Sequence, residues 1–239
     1  MHPFIHTLVP SLLPQQCLLC HDSCLPGDTF GLCRGCLKEL PWNNSACQRC
    51  ALPLPPGQNQ QLCGQCQQSP PPFHAAHAAW RYAAPMDFLV QQIKFHDNLA
   101  CARTLGELLA HSLQAQAIPK PGVIIPVPLH SKRQRQRGFN QALEIARPVS
   151  KRLNIPIDSR SCRRIKATEP QSDLSLTQRY GNLKAAFSVT NKLKTSHVAI
   201  IDDVMTSTQT ASALANELLK QGVEHVTVWC CARTTHQAG

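Results

Sequence analysis

Two adjacent carboxylates followed by small hydroxyl residues form the first group whose types and spacing could support chemistry. Asp202 and Asp203 are this pair, and the residues that follow are Thr206, Ser207, Thr208, Gln209 and Thr210. A carboxylate pair can accept hydrogen bonds from the hydroxyl groups of a sugar. The free N–H groups at the start of a helix can bind a phosphate. The group therefore predicts a binding site for a sugar phosphate.

The elements on either side of this group explain how it would be positioned. Residues 198–201 are an unbroken apolar run, which is typical of a buried strand, and apolar residues recur at helical spacing over residues 211–219. In open α/β sheets, ligands bind where the carboxyl ends of strands meet helix starts. One alternative stays open, because Thr206 and Gln209 are spaced as a capping box that would only begin the helix.

The cysteines form a second group with a regular spacing. Eight of the thirteen occur as C-x-x-C pairs, namely Cys17/Cys20, Cys33/Cys36, Cys47/Cys50 and Cys63/Cys66. The two-residue spacer lets both thiolates of a pair bind one ion, and two pairs complete a tetrahedral zinc shell. The pattern repeats after 30 residues, which favours zinc sites formed within each repeat, although crossed pairing is also compatible with the spacing.

Disulfides and a redox C-x-x-C motif are the competing interpretations of these cysteines. We expect reduced thiols because the chain shows no secretion signal, and four tandem pairs do not fit a single redox couple. The two predicted zinc ions would be structural, since four protein thiolates leave no open coordination position. The cysteine segment holds few large apolar residues, so zinc would supply much of its folding free energy.

The composition limits the class of protein. The chain has 239 residues, of which 43% are hydrophobic, enough for a sizeable core and a smaller unit. No run approaches the length of a transmembrane helix, and the first residues lack the basic start of a secretory signal. We therefore expect a cytoplasmic protein without membrane insertion.

The net charge of +10 is concentrated after the cysteine segment. Residues 132–166 contain eleven Lys or Arg against two acidic residues, which favours a polyanion partner such as pyrophosphate or nucleic acid. The candidates for nucleic-acid contact are Lys132, Arg133, Arg135, Arg137, Arg163, Arg164 and Lys166. The alternative is an ordinary solvated helix face.

A proline-rich spacer at residues 69–72 predicts a boundary between two domains, 1–72 and 73–239. After it, apolar runs near residues 123–129, 160–165, 185–189, 197–204 and 225–233 alternate with helical patterns at 86–96, 99–117 and 211–219. A basic loop over residues 131–137 leads into another helix, in which Pro148 is expected to introduce a kink. This alternation predicts an α/β fold with a mostly parallel sheet.

The segment VAIIDDVMTSTQT resembles the phosphoribosyl pyrophosphate (PRPP) motif of type I phosphoribosyltransferases. Together with VIIPVPLHSKRQRQRGFNQA, RRIKATEPQSDLSLTQRYGNLKAAF and the cysteine pairs, it resembles the ComF/GntX family over nearly the whole chain. The resemblance implies a double zinc ribbon joined to a type I phosphoribosyltransferase-like domain, and roles in natural transformation and DNA utilisation.

The resemblance also implies roles for particular residues. Asp202 and Asp203 would bind the ribose of PRPP, and residues 206–210 its 5′-phosphate. Arg133 and Arg137 would approach the pyrophosphate, which Mg²⁺ accompanies. Lys94 matches a basic position that follows the first helix of the domain in family members, and it would also bind PRPP. The family normally has glycine where this chain has Thr208, so a positive φ there would cost about 1–3 kcal/mol of strain.

Three functions follow from these patterns. The first is an accessory protein of DNA uptake or utilisation that handles single-stranded DNA and has a PRPP-type pocket. The second is an active phosphoribosyltransferase that uses PRPP and Mg²⁺ with an acceptor that the sequence does not identify. The third is a scaffold whose zinc segment recruits a DNA helicase or translocase.

Overall fold

The computed structural model of the protein describes residues 15–55, 57, 62–116, 118–166 and 186–235. Its helices are α1 (Arg34–Lys38), α2 (Gly64–Gln68), α3 (Met86–Phe95), α4 (Leu99–Ala115), α5 (Ser131–Arg137), α6 (Gln141–Leu153) and α7 (Gln209–Lys220). Its strands are β1 (Ala75–Arg81), β2 (Val123–Pro126), β3 (Cys162–Arg164), β4 (Phe187–Val189), β5 (His197–Met205) and β6 (His225–Arg233).

Four strands form a parallel sheet in the order β1-β6-β5-β2. The shorter β3 and β4 pair with each other in antiparallel orientation, outside this sheet. The central strands are apolar on both faces because helices cover both sides, as is usual in parallel sheets. The predicted α/β fold with a mostly parallel sheet is therefore confirmed.

Alternate residues of β5 enter two different cores. Ala199 and Ile201 pack with α3, α4 and α6 on one face, whereas Val198 and Ile200 pack with α7 on the other. This alternation follows from the two-residue period of a strand. Asp202 and Asp203 lie in this same strand, near its carboxyl end.

Helices α4 and α6 approach each other most closely at Gly106. A Cβ atom there would collide with the carbonyl oxygen of Ile145 and the ring of Pro148, so only glycine fits. Helix α6 continues through Pro148 to Leu153. The proline therefore lies within one continuous helix and packs against α4.

The structure differs from the sequence prediction at the basic segment. Residues 131–137 form helix α5 and not a loop, capped at its start by His130, whose Nδ1 accepts a hydrogen bond from the Lys132 N–H at 3.3 Å. The prediction was wrong because the segment has no apolar period that would signal a helix. Gly138 ends α5 in the left-handed conformation.

The cysteine segment packs directly onto the sheet and its helices. Leu32 and Leu40 belong to the same core as α4, and Trp42 contacts Trp80 of β1 with ring centroids 5.3 Å apart. The predicted boundary near residue 72 stays a prediction about chain organisation. None of the helices in the described ranges is both long enough and apolar enough to cross a bilayer.

Candidate functional site

The eight paired cysteines form two clusters, each from consecutive pairs. The first cluster contains Cys17, Cys20, Cys33 and Cys36, and the second contains Cys47, Cys50, Cys63 and Cys66. Within each cluster the sulfur atoms all lie within 4.8 Å of one another. Sequential pairing is therefore confirmed over crossed pairing.

The sulfur separations fit zinc. Cys20 Sγ lies 3.8 Å from Cys33 Sγ, and Cys50 Sγ lies 3.7 Å from Cys63 Sγ. Tetrahedral coordination with Zn–S bonds of about 2.3 Å gives sulfur separations of about 3.8 Å. Each cluster can thus hold one zinc ion without rearrangement, and both would be structural sites.

The two halves of the cysteine segment repeat each other in backbone geometry. In the first, the His21 N–H donates to Cys17 O at 3.0 Å, and in the second the Ala51 N–H donates to Cys47 O at 2.7 Å. His21 and Ala51 both have positive φ, 64° and 56°. The period of 30 residues in the sequence therefore corresponds to a structural repeat.

The carboxylate pair lies near the carboxyl end of β5, as predicted. Asp202 Oδ1 accepts from the Asp203 N–H at 2.9 Å, and Asp203 Oδ1 accepts from the Val204 N–H at 2.6 Å. Asp202 is partly buried and Asp203 is buried. Burial, and then the charge of Asp203, raise the pKa of Asp202 well above its usual range, while Lys94 and Arg164 act in the opposite direction. The pair therefore favours a cation or a hydroxyl donor as a ligand.

Lys94, in the last turn of α3, lies at this pair. Its Nζ is 3.2 Å from Asp203 Oδ2, and both side chains are largely shielded from solvent, 26% and 13% exposed. The sequence predicted Lys94 and Asp203 for the same site, and the structure brings them together. Their ion pair also means that Asp203 already has one cationic partner.

Arg137 of α5 and Arg164 of β3 interact electrostatically with the acid pair. The pKa of Arg137 is lowered by burial and by Arg133, whereas Asp203 and Asp97 act to raise it. The pKa of Arg164 is lowered by burial and by Arg133, whereas Asp202 acts to raise it. These mutual effects require that the arginines and the aspartates share one electrostatic environment. The cluster can bind a polyanion next to a carboxylate pair.

The hydroxyl residues connect β5 to α7 as expected, but the capping box is absent. Helix α7 begins at Gln209, and its cap is Thr208, whose side chain makes no capping hydrogen bond. The capping-box interpretation, with Thr206 as the cap, was therefore wrong. Thr208 has φ −77° and ψ −5°, so the strain expected from a positive φ does not arise. Gln209 and Thr210 lie in the first turn of α7.

The basic candidates divide into two groups. Arg133, Arg137 and Arg164 are partly buried, whereas Lys132, Arg135, Arg163 and Lys166 are exposed. Further along, Arg147 pairs with Glu144 on the same helix at 3.1 Å. The run of basic residues in the sequence is thus not one uniform surface.

Sequence reasoning missed two residues that matter to this site. Asp97 contributes to the charge environment of Arg137, and Arg233 hydrogen-bonds to the chain where β5 leads into the hydroxyl residues. The available signal for Arg233 was a charged residue at the end of an otherwise apolar strand. The segment ATEPQSDLSLTQRYGN, which is part of the family resemblance, lies outside the described residues.

Comparisons with known proteins agree with this architecture. Residues 8–67 match the double zinc ribbon domain family. The chain is 34% identical over 226 residues to DNA utilization protein YhgH of Escherichia coli (strain K12), covering 93% of this chain and 98% of that protein. The YhgH protein of Salmonella typhi gives the same identity and coverage. Competence protein F of Haemophilus influenzae is 35% identical over 210 residues, covering 85% of this chain and 90% of that protein.

Proposed function

Because this chain belongs to the family that includes DNA utilization protein YhgH and competence protein F, we propose that it is an accessory protein of DNA uptake or DNA utilisation. It is the same family, ComF/GntX, that the sequence motifs of the chain resemble. The names of these relatives and the near full-length match support the role. The finer proposal is a cytoplasmic protein with a PRPP site and a surface for single-stranded DNA.

The observation that carries the PRPP proposal is the convergence of Asp202 and Asp203 with Lys94, Arg137 and Arg164 near the carboxyl end of β5. The carboxylates would bind the ribose hydroxyls, and the start of α7 would bind the 5′-phosphate. Lys94, Arg133 and Arg137 would face the pyrophosphate, and Mg²⁺ would neutralise part of its charge. Arginine suits this role because its planar fork binds phosphate through two hydrogen bonds.

Calorimetric titration with PRPP and Mg²⁺ tests this site. We expect heat of binding for the native chain and at least about tenfold weaker binding for Asp203→Asn, since a charge-assisted hydrogen bond contributes about 1.5–3 kcal/mol. Asp87→Asn, a carboxylate change at the other end of the same helix as Lys94, should leave the affinity unchanged. No heat with the native chain, or equal affinity for both variants, would reject the PRPP site.

The exposed cations Lys132, Arg135, Arg163 and Lys166 support the proposal of single-stranded DNA binding. All four are exposed, so that a phosphate backbone can reach them, whereas Arg133, Arg137 and Arg164 are partly buried. Few aromatic side chains lie in this part of the chain, so base stacking would be limited and sequence preference weak. Binding should therefore depend mainly on the backbone charge of the strand.

Fluorescence anisotropy with a labelled single-stranded oligothymidine, measured over a series of salt concentrations, tests this surface. The slope of log affinity against log salt should fall in magnitude by about 1.4 when Lys132→Gln and Arg135→Gln are combined, at about 0.7 per lost phosphate contact. A matched control combines Arg103→Gln and Lys220→Gln, which removes the same charge from exposed helix positions elsewhere. Affinity that does not change with salt would reject the surface.

An active phosphoribosyltransferase is the second candidate, and the buried carboxylate pair is the observation that favours it. Such a pair could stabilise positive charge that develops on the ribose as pyrophosphate leaves. Release of pyrophosphate from PRPP with Mg²⁺, dependent on Asp203, would support an enzyme. Binding without release would support a ligand-binding role.

Recruitment of a helicase or translocase by the cysteine segment is a further part of the proposal, which a pull-down would test.

A further inference from the structure

Arg233, the last residue of β6, connects the second zinc cluster to the start of the hydroxyl segment. Its Nε donates to the carbonyl oxygen of Cys50 at 3.2 Å. Its Nη1 donates to the carbonyl oxygens of Met205 and Thr206, both at 2.9 Å. Cys50 is a zinc-site cysteine, and residues 206–210 form the segment proposed to bind the 5′-phosphate, here called the phosphate loop.

The side chain of Arg233 is completely buried, with 0% of its surface exposed. Among the described residues, no carboxylate lies within ion-pair distance of its guanidinium. Its guanidinium donates instead to backbone carbonyl oxygens and to the hydroxyl of Thr234, the latter at 3.2 Å. Burying a cation in this way is costly unless a negative charge lies nearby.

The second zinc cluster can supply that charge. Four thiolates around one divalent ion leave the site with a net negative charge, whereas four protonated thiols are neutral. All four cysteines of this cluster are buried, so solvent screens the charge weakly. Zinc also fixes the turn that carries the Cys50 carbonyl, which is the acceptor for Arg233.

From these contacts we infer that Arg233 is a positioning residue through which zinc at the second cluster holds the phosphate loop in place. The first cluster makes no such connection, because the hydrogen bonds of Arg233 reach Cys50 and not a cysteine of residues 17–36. Loss of zinc at the second cluster should therefore loosen residues 206–210, whereas loss of zinc at the first should not. The functional importance of the loop rests on the proposed PRPP site, but the coupling itself does not.

Hydrogen exchange of the full-length, zinc-loaded protein without ligand tests the coupling. In Arg233→Met, the amides of Ser212 and Thr234, which donate to the carbonyl oxygens of Thr208 and Met205 at 2.8 and 3.4 Å, should exchange about tenfold faster or more, because Arg233 no longer holds this segment. Peptides from α4 should keep their native exchange rates. Arg81→Met is the matched control, because Arg81 is exposed and lies opposite Arg233 on the neighbouring strand.

A second pair of variants distinguishes the two zinc clusters. Cys63→Ser should accelerate exchange of the Ser212 and Thr234 amides, whereas Cys20→Ser should leave both as in the native protein. If Arg233→Met or Cys63→Ser does not fold, Arg233→Lys decides the question, because lysine keeps the cation but cannot reach Cys50 and both loop carbonyls together. Native exchange of the Ser212 and Thr234 amides in folded Arg233→Lys, or equal acceleration by Cys20→Ser and Cys63→Ser, would overturn the inference.

The exchange experiment and the PRPP titration fail independently. If the native protein does not bind PRPP but Arg233→Lys still loosens residues 206–210, the proposed function is rejected and the coupling is retained. If PRPP binds but the exchange rates at this segment are the same in the native protein and in the Arg233 variants, the coupling is rejected and the proposed function is retained.

Discussion

The two zinc clusters are alike in their ligands and different in their surroundings. A sulfur separation of 3.8 Å in the first corresponds to one of 3.7 Å in the second, and the same backbone turn carries the first C-x-x-C pair of each. In the first cluster Cys20 is exposed and Cys33 and Cys36 are only partly buried, whereas all four cysteines of the second are buried. The two clusters therefore share one coordination geometry, but the first is an outer cluster and the second an inner one. We expect them to contribute differently to the structure of the protein.

The contacts of each half explain this difference. The first half rests on helices, where Phe30 O accepts from Thr104 Oγ1 at 2.6 Å and the Phe30 ring lies under the Arg152 guanidinium. The second half rests on strand ends. There, Arg49 donates to the carbonyl oxygens of Pro71 and His74, and Arg233 donates to Cys50. The inner cluster is thus tied to the sheet that carries the acid pair.

Zinc removal should give the largest effect and the clearest test of this comparison. Apparent binding free energies for structural zinc are about 10–16 kcal/mol per site in finger peptides, so chelation should unfold the cysteine segment. Zinc should leave in two phases, from the exposed first cluster before the buried second one. Alkylation of freed thiols followed by mass spectrometry identifies the order. Simultaneous release, or release from the second cluster first, would remove the distinction between them.

Acid should lower the stability of the second half of the cysteine segment, which holds the inner cluster and is called the inner half below. The responsible residue is His77 of β1. Burial lowers the pKa of His77 to about 4, and its Nε2 lies 2.9 Å from Ser112 Oγ. The unfolded chain therefore binds a proton that the folded chain does not, and stability falls as pH drops from about 6.5 to about 4, by at most about 3 kcal/mol. Above this window the histidine contributes no pH dependence, because it is neutral in both states.

Urea unfolding across this pH window measures the effect. His77→Gln should reduce the loss of stability on acidification, whereas His96→Gln, at an exposed position, should keep the native profile. The neighbouring β1 residue Ala76 donates its N–H to Gln48 O of the second half at 3.2 Å, so acid should affect that half first. Equal pH dependence in the native protein and His77→Gln would contradict this assignment.

Asn43 allows a further test of the inner half, with a smaller expected effect. Its Nδ2 donates to Ala51 O at 3.0 Å and to Ala78 O at 3.3 Å, and the residue is buried. Asn43→Ala should lower the free energy of unfolding by about 2 kcal/mol, because it leaves buried carbonyl groups without a donor. The exposed neighbour Asn44 offers the matched control, and Asn44→Ala should have little effect in the same denaturation assay.

Thr104 gives the corresponding test of the outer half, with the smallest expected effect. Thr104→Val keeps the shape of the side chain but removes the hydrogen bond to Phe30 O, which should cost about 1 kcal/mol. Thr104→Ser retains a hydroxyl and should lie closer to the native stability. A loss in Thr104→Val larger than that in Asn43→Ala would reverse the proposed order of the two halves.

Much of this architecture could be predicted because it depends on local patterns. The zinc ligands follow from C-x-x-C spacing, β5 from its apolar run, and the position of Asp202 and Asp203 from the strand that precedes them. The sequence resemblance also identified Lys94, which the structure brings to Asp203.

The remainder depends on contacts between distant parts of the chain. Arg233 and Cys50 are 183 residues apart in the sequence, and no local spacing of residues predicts their hydrogen bond. The two cysteine halves have the same ligand spacing, so burial of one and exposure of the other follow only from how they dock. The helix at residues 131–137 was missed because its side chains are polar on every side.

Thr208 has one further consequence for the unfolded chain. Its backbone already has the dihedral angles of a right-handed helix, so the side chain causes no steric penalty in the folded protein. A glycine at this position would gain conformational entropy only when the protein unfolds, at a cost of roughly 0.4–1 kcal/mol to stability. The residue that departs from the family pattern therefore makes this turn stiffer than glycine would.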